Sequence, residues 1–255
     1  MTPALETPAL ETIGLSRQFG ALVVANDIHF RLDSGARHAL IGPNGAGKTT
    51  FVNLITGRLS PSAGRILLNG ADVTALPQED RVRRGLGRTF QINALFKGLS
   101  VLENVCLAMN ERSGIGGQMF RLAGARRDVV AKAFALLERL GLAADAARLV
   151  NELPYGKQRL VEIAIALGLD PSVLLLDEPA AGVPSAENRV ILDVIAQLPD
   201  SVAVLIIEHD MELVFRFAQR ITVLVQGAIL MEGTPAEIAA DPRVREIYLG
   251  ERQHG

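Results

Sequence analysis

The sequence has a single cysteine, Cys106, so no disulfide can form within the chain, and a lone thiol is typical of a reducing compartment. It also lacks any apolar stretch near the roughly 20 residues that a membrane-spanning helix needs. The N-terminus has neither a basic segment nor a long apolar one, as a secretory signal would. We therefore expect a cytoplasmic chain that neither spans a membrane nor is exported, and that reaches a membrane only through a partner.

Basic charge is not in surplus either. The chain has 26 Lys and Arg residues against 28 Asp and Glu residues, which gives a formal net charge of −2. Nothing is left over to neutralise a phosphate backbone, so we do not expect nucleic acid as a partner. Local basic clusters at 81–84 and 126–127 are interpreted as solvated helix ends.

Apolar residues, in contrast, are abundant. They make up 49% of the 255 residues, enough for one large core or a core plus a small subdomain. Residues 1–11 differ from the rest, because the five residues 2–6 (TPALE) recur directly at 7–11. Such a short repeat cannot form a core, and we predict a disordered extension over 1–11 and a single domain over 12–255.

Residues 42–50 (GPNGAGKTT) fill every fixed position of the phosphate-binding loop G-x-x-x-x-G-K-[ST] and follow an apolar run at 39–41. Glycines let the backbone N–H groups of such a loop converge on phosphate oxygens, and the following helix adds its positive end. Lys48 adds a point charge to the outer phosphates, and the Thr49 hydroxyl is placed to bind Mg²⁺. The loop residues predicted to bind a nucleoside triphosphate are Asn44, Gly45, Ala46, Gly47, Lys48, Thr49 and Thr50.

A second motif is the apolar run 173–176 followed by Asp177 and Glu178. A strand that ends in two carboxylates at the edge of a parallel sheet places Asp177 beside the phosphate-bound metal. Glu178 is then the natural general base, able to accept a proton from the water that attacks the γ-phosphorus.

The pattern of apolar segments predicts an α/β fold. Short buried runs at 173–176 and 202–207 alternate with helical patterns, as expected for a mostly parallel sheet around a P-loop NTPase core. Residues 12–41 are β-rich and predict an N-terminal antiparallel β subdomain. The alanine-rich range of about 100–168 predicts an α-helical subdomain.

Taken together, these motifs resemble the ATP-binding cassette family, since the loop at 42–50, Gln91, segment 153–158, Asp177-Glu178 and His209 follow its order and spacing. The resemblance covers nearly the whole chain after residue 12. Segments 88–91 (RTFQ), 177–182 (DEPAAG), 208–211 (EHDM) and 248–251 (YLGE) are similar to the longer ATPase subunit of bacterial branched-chain amino acid importers.

The resemblance implies a head-to-tail dimer that traps ATP between the phosphate loop of one subunit and the signature segment of the other. Phe19 would stack on adenine, although a core phenylalanine is the alternative. Gln91 would contact the metal or the attacking water, so Mg²⁺ would lie near Thr49, Gln91 and Asp177. His209 would contact the γ-phosphate and hold Glu178 and the water in register, although it could instead be a surface residue. The signature residues acting in trans would be Pro154, Tyr155, Gly156 and Lys157.

Two departures from the family pattern are visible. The usual signature is Leu-Ser-Gly-Gly-Gln, and here Pro154, Tyr155 and Lys157 replace the serine, the first glycine and the glutamine. Pro154 removes a hydroxyl and an N–H donor, whereas Gly156 and the helix N-terminus remain and Lys157 adds charge. Residues 182–185 (GVPS) replace a usual Leu-Asn-Pro after the glycine, at the predicted dimer seam. We expect both changes to weaken communication between the two sites.

The predicted function is that of an ATP-hydrolysing subunit of a membrane importer of branched-chain or other amino acids or related small solutes. Its partners would be permease subunits, a second ATPase subunit and, indirectly, an extracytoplasmic solute-binding protein, with the chain peripheral on the inner face of the cell membrane. The transported substrate and the choice between a homodimer and a heterodimer stay open. Alternatives are the ATPase of a lipopolysaccharide-type export system, a soluble cassette ATPase and a regulatory nucleotide switch.

Overall fold

The protein was analysed as a computed structural model, which describes residues 7–89, 95–112 and 127–250. The strands are β1 (Leu10–Phe19), β2 (Leu22–Leu32), β3 (Arg37–Ile41), β4 (Ala63–Leu68), β5 (Ala71–Asp72), β6 (Leu86–Arg88), β7 (Val173–Asp177), β8 (Ala203–Ile207), β9 (Arg220–Val225) and β10 (Ala228–Gly233). The helices are α1 (Lys48–Thr56), α2 (Gln78–Arg83), α3 (Val101–Arg112), α4 (Arg127–Arg139), α5 (Tyr155–Gly168), α6 (Ser185–Ala196), α7 (Met211–Phe217), α8 (Pro235–Ala240) and α9 (Pro242–Gly250).

The strands form two sheets. The first is antiparallel and has four strands in the order β2-β1-β4-β5. Strands β1 and β2 come from the range 12–41 predicted to form the N-terminal β subdomain, β4 and β5 complete the sheet, and β3 joins the second sheet instead. The second has six strands in the order β10-β9-β3-β8-β7-β6, and all its pairings are parallel except that of β10 with β9. Strands β3 and β8 are buried along their whole length, as expected for strands covered on both faces. The predicted α/β fold with a mostly parallel sheet is confirmed.

Helices α3, α4 and α5 lie within the range of about 100–168 that was predicted to be helical. Their apolar faces contribute Val105, Leu137 and Leu160 to the same hydrophobic core as Leu174 and Val204 of the second sheet. Within the ranges that the structure describes, no helix is both long enough and apolar enough to cross a membrane.

The prediction of a disordered extension over 1–11 is wrong for its last residues. Ala9 and Leu10 are buried, and Leu10 pairs with Leu32 on one side and Leu68 on the other. Asn69 N–H also donates to Ala9 O at 2.9 Å. The second copy of the repeat is therefore held in the sheet, because its apolar residues and backbone pair with both neighbouring strands, whereas residues 1–6 lie outside the described part.

The interpretation of the cluster at 81–84 as a solvated helix end is wrong for Arg81. Its side chain is among the largest fully buried ones, with 1% of the residue exposed. The guanidinium donates to Leu54 O at 2.8 Å and Ile55 O at 2.7 Å, both at the C-terminal end of α1. It also donates to Thr74 O at 2.9 Å and Leu76 O at 3.0 Å. Arg81 thus donates to carbonyl groups in the last turn of α1, where helical carbonyls lack the partners that the helix interior supplies.

Candidate nucleotide site

A cavity of about 520 Å³ lies at the carboxyl edge of the second sheet, where the phosphate-loop motif follows β3. It is lined by residues 22–24, the loop and helix start at 44–50, Glu178, and Gln226-Gly227 in the turn between β9 and β10. Because β3, β8 and β7 are parallel neighbours, the segments that follow them converge on this edge. All seven predicted loop residues, from Asn44 to Thr50, therefore line one cavity with Glu178.

Close packing of the loop explains two of its glycines. A Cβ at Gly42 would collide with the carbonyl oxygen of Leu224 on β9. Gly47 has φ of 102°, a left-handed conformation at the N-terminus of α1, and a Cβ there would lie 2.9 Å from Val24 O. The loop is thus clamped between β2 and β9, with the first N–H groups of α1 directed to the cavity end of the helix.

Lys48 is held at the same loop. Its Nζ donates to Gly42 O at 2.5 Å and to Pro43 O at 3.0 Å. Thr49 and Thr50 follow in the first turn of α1 and also line the cavity. A cation, a helix N-terminus and two hydroxyl groups suit the outer phosphates of a nucleotide.

Asp177 ends β7 and carries an ion pair that the sequence did not predict. Nη2 of Arg88, on the neighbouring strand β6, lies 2.9 Å from Oδ2 of Asp177. Nη1 of Arg88 donates to Oδ1 of Asn53 on α1 at 3.3 Å. The Thr49 hydroxyl and the Asp177 carboxylate are the oxygen donors that Mg²⁺ prefers, and two protein ligands plus phosphates are its usual number, so these residues fit the ion.

Glu178 and His209 are brought together. Nδ1 of His209 lies 3.6 Å from Oε1 of Glu178, with the two side chains 66% and 48% exposed. Glu178 has φ of 46°, and its N–H donates to Ile207 O at 2.9 Å, which ties it to the end of β8. A left-handed conformation is uncommon for a residue with a side chain and occurs often at functional sites. Glu178 lines the nucleotide cavity and His209 lines a second one, and their roles as a base and its orienting histidine stay predictions.

Glu208 is a neighbouring carboxylate to which the sequence analysis gave no role. It is 2% exposed, its Oε2 accepts from His209 N at 3.2 Å, and its Oε1 accepts from Ala180 N at 3.4 Å. Burial raises the pKa of Glu208, against the lowering effect of these two N–H donors. Glu208 thus joins the His209 turn to the loop after Glu178. The sequence signal that could have identified Glu208 was an acidic residue directly after a fully apolar strand.

Phe19 is not a core residue, so that alternative is wrong. It is 49% exposed at the end of β1, and the guanidinium carbon of Arg17 lies 4.4 Å from its ring centroid. The cavity wall on that side is formed instead by Leu22, Val23 and Val24. Stacking of Phe19 on adenine stays a prediction. Gln91 falls within 90–94, outside the described residues.

The signature segment lies at the start of α5. Pro154 is the N-cap residue, and the Tyr155 hydroxyl donates to Ala181 O at 3.3 Å, in the loop that precedes α6. Lys157 Nζ lies 2.6 Å from Oδ2 of Asp145, which is only 6% exposed, so the expected extra charge is paired within the chain. Among the described residues that line the nucleotide cavity, none comes from 153–158.

Known proteins match this chain over almost its whole length. The family model described as ABC transporter matches residues 25–181, and that described as branched-chain amino acid ATP-binding cassette transporter matches residues 228–254. The high-affinity branched-chain amino acid transport ATP-binding protein LivG of Escherichia coli K12 is 39% identical over 254 residues, 97% of this chain and 100% of LivG.

Solved structures agree with this result. The ADP conformation of MJ1267, an ATP-binding cassette of an ABC transporter, matches with a TM-score of 0.85 at 31% identity, covering 95% of this chain and 99% of MJ1267. The cbiO1 protein of Clostridium perfringens, part of the ABC transporter complex cbiONQ, matches with a TM-score of 0.79 at 25% identity, covering 98% of each chain.

Proposed function

Because this chain belongs to the ATP-binding cassette family of ABC transporters, as an ATP-binding subunit, we propose that its ATP hydrolysis drives uptake of branched-chain amino acids through a membrane importer. The observation that carries the proposal is that the phosphate loop and Glu178 line one cavity, with His209 3.6 Å from Glu178 and Asp177 at the end of β7 directly before it. The substrate class rests on relatives such as LivG, which is 39% identical and named for branched-chain amino acid transport.

Each residue of the site has a role in this chemistry. The loop N–H groups, the N-terminus of α1 and Lys48 bind the phosphates of ATP. Thr49 and Asp177, together with Gln91, would hold a Mg²⁺ ion, which would supply positive charge to the outer phosphates. Glu178 orients and deprotonates the attacking water, and His209 contacts the γ-phosphate.

The working enzyme is a head-to-tail pair. As the family resemblance implies, the segment from Pro154 to Lys157 serves the nucleotide of a second subunit; in agreement with this role, no described residue of 153–158 lines the cavity of its own chain. Gly156 and the N-terminus of α5 supply most of the contact there, because Pro154 lacks an N–H and Lys157 is paired with Asp145. A signature of this kind suits an asymmetric pair, with a shorter paralogue as the second ATPase subunit.

Closure of the pair on ATP and reopening after hydrolysis would move permease subunits on the inner face of the cell membrane. ATP can drive this movement only as far as it binds the closed state more tightly than the open one. The helical subdomain would dock the permeases, Gln91 would pass the nucleotide state to them, and an extracytoplasmic solute-binding protein would deliver the substrate. Full-length similarity to branched-chain importer subunits favours this function over lipopolysaccharide export, a soluble cassette ATPase or a regulatory switch.

The test is uptake of labelled leucine in cells that lack this chain, with the native protein or the Glu178→Gln variant restored. We expect the native protein to restore uptake and Glu178→Gln to fail, because the amide cannot accept the proton of the attacking water. Leucine uptake unchanged by loss of the chain would contradict the proposed substrate. Normal uptake with Glu178→Gln would remove Glu178 from its role.

A further inference from the structure

We infer that Arg88 is a positioning residue for the magnesium site, which fixes Asp177 relative to the helix that carries Thr49. The inference rests on the proposed function, because it concerns the Mg²⁺ ion that this function requires. Arg88 itself is not among the described residues that line the nucleotide cavity.

The guanidinium of Arg88 joins two elements that both contribute to the site. One arm lies 2.9 Å from Oδ2 of Asp177 at the end of β7, and the other donates to Oδ1 of Asn53 on α1 at 3.3 Å. The Arg88 side chain is 11% exposed and that of Asp177 24% exposed, so solvent screens this ion pair less than one on the open surface. A planar fork with two arms fixes both the distance and the direction of its partners.

Asn53 connects this bridge to the second metal ligand. It follows Thr49 by four residues on α1, so the two side chains share one face of the helix about 6 Å apart along its axis. A contact from Arg88 to Asn53 therefore sets the position of Thr49 relative to Asp177. The predicted ligands come from different elements, and Arg88 links those elements directly.

The backbone holds Arg88 where this link is possible. Arg88 is the last residue of β6 and pairs in parallel with Leu175 on β7, two residues before Asp177. Thr89 N donates to Leu175 O at 3.0 Å, which continues the pairing past the end of the strand. The backbone of Arg88 is held against β7 by strand pairing. The guanidinium therefore orients the Asp177 carboxylate, and its own position does not depend on that carboxylate.

Only Oδ2 of Asp177 accepts from Arg88, so this contact leaves Oδ1 available as a ligand. Mg²⁺ requires near-ideal octahedral geometry, so a small change in the spacing of its ligands weakens binding. Hydrogen-bond partners of metal ligands typically change metal affinity by about 10-fold to 100-fold when removed. Arg88 is expected to act within this range.

The experiment compares Arg88→Lys and Arg88→Gln with the native chain. The readout is the Mg²⁺ concentration that gives half of the thermal stabilisation produced by adenylyl imidodiphosphate, a non-hydrolysable ATP analogue. We expect both variants to need about 10-fold to 100-fold more Mg²⁺, while binding of fluorescent ADP in EDTA stays native. Arg88→Lys keeps the charge and loses the fork, so it separates geometry from charge.

Two further variants complete the design. Arg83→Lys is the matched control, because Arg83 is exposed and pairs only with Asp80 on its own helix. Asn53→Ser removes one side of the bridge without touching the arginine, and we expect a smaller shift in the same direction. This variant also keeps the inference testable if the Arg88 variants fold poorly.

If Arg88→Lys and Asn53→Ser both need the same Mg²⁺ concentration as the native chain, the inference is overturned. The proposed function would still stand in that case, provided that the native chain hydrolyses ATP. A lower requirement in Arg88→Gln would overturn it as well, since Arg88 would then compete with the metal. A native chain that neither binds nor hydrolyses ATP in the presence of Mg²⁺ would overturn the proposed function and this inference together.

Discussion

At the scale of single residues, Glu178 is both the proposed general base and a residue with a strained backbone. Its φ of 46° lies in the left-handed region, where a residue with a side chain costs about 1–3 kcal/mol. The surrounding contacts hold it there, since its N–H is bound to Ile207 O and its side chain faces His209. The backbone thus aims the carboxylate into the cavity at some expense in stability.

His38 is a buried titratable residue beneath the phosphate loop, and its charge state predicts how stability depends on pH. It is 1% exposed on β3, and its Nε2 lies 2.8 Å from Oγ1 of Thr222 on β9. Burial lowers the pKa of His38 to about 4, against the raising effect of Glu232 and Asp33 and with a further lowering by Arg220. The folded chain therefore holds this imidazole neutral where an unfolded chain would protonate it.

The stability contributed by neutral His38 is complete above the unfolded pKa of about 6.5 and is lost as pH falls from there to about 4. The loss amounts to about 3 kcal/mol over this interval, since each pKa unit corresponds to about 1.4 kcal/mol. We expect His38→Gln to flatten the dependence of unfolding free energy on pH, measured by urea denaturation between pH 4 and 7. His29→Gln, at an exposed position, is the control. An unchanged slope in His38→Gln would disprove the assignment.

The sequence predicted those residues whose chemistry depends on local order along the chain. The phosphate loop and Asp177-Glu178 are continuous motifs next to apolar runs, so both could be found. The roles of Arg88 and Asn53 could not be found in this way. Arg88 is 89 residues from Asp177 and 35 residues from Asn53 in the sequence, so only the fold brings them together. The role of Glu208 likewise depends on Ala180, which only the folded sheet brings near.

At the scale of secondary structure, α1 is supported at both ends by features of different kinds. Gly47 begins the helix at the cavity, and Arg81 donates to Leu54 O and Ile55 O near its C-terminus. Arg81 belongs to the short helix α2, which has no contact with the nucleotide cavity among the described residues. The orientation of the phosphate-binding helix thus depends on a buried cation remote from the chemistry.

We expect Arg81→Met to lower the unfolding free energy by about 3 kcal/mol, because the carbonyl groups at the end of α1 lose charged donors and stay buried. Urea denaturation measures this change. The matched variant Arg83→Met, at an exposed position of the same helix, should change it by less than about 0.5 kcal/mol. Equal effects in the two variants would mean that the buried contacts of Arg81 contribute little.

Two elements have strong local sequence patterns. The hairpin of β9 and β10 turns at Gln226-Gly227, and Thr234 caps α8 with Glu237 in a capping box with proline at the first helical turn. The start of β1 was missed, because a short duplicated segment contains no period by which a strand can be recognised. Its partners Leu32 and Leu68 are distant in sequence.

At the scale of the whole molecule, one chain presents half of each proposed catalytic site. The cavity and the segment at 154–157 are separate in the described structure, yet Tyr155 contacts Ala181 and packs beside Gly182. The start of α5 is thereby joined to the loop that follows Glu178.

We expect ATP to convert Glu178→Gln into a stable dimer or, when the paralogue is present, a stable heterodimer, because nucleotide binds without being consumed. Size-exclusion chromatography with light scattering, with and without ATP and Mg²⁺, measures this change. The double variant Glu178→Gln/Lys48→Ala should stay monomeric, since it loses the charge that binds the outer phosphates. A dimer of the double variant in ATP would show that association does not require nucleotide bound at Lys48.

The N-terminal repeat determines which deletions leave the start of β1 with its apolar residues. Deletion of residues 2–6 and deletion of residues 7–11 give the same sequence, because the two segments are identical. In either case an Ala-Leu-Glu segment still precedes Thr12 and can pair with β2 and β4 as residues 9–11 do. A chain that has lost one copy therefore keeps an Ala-Leu pair for the start of β1, whereas loss of both copies removes the buried Ala9 and Leu10.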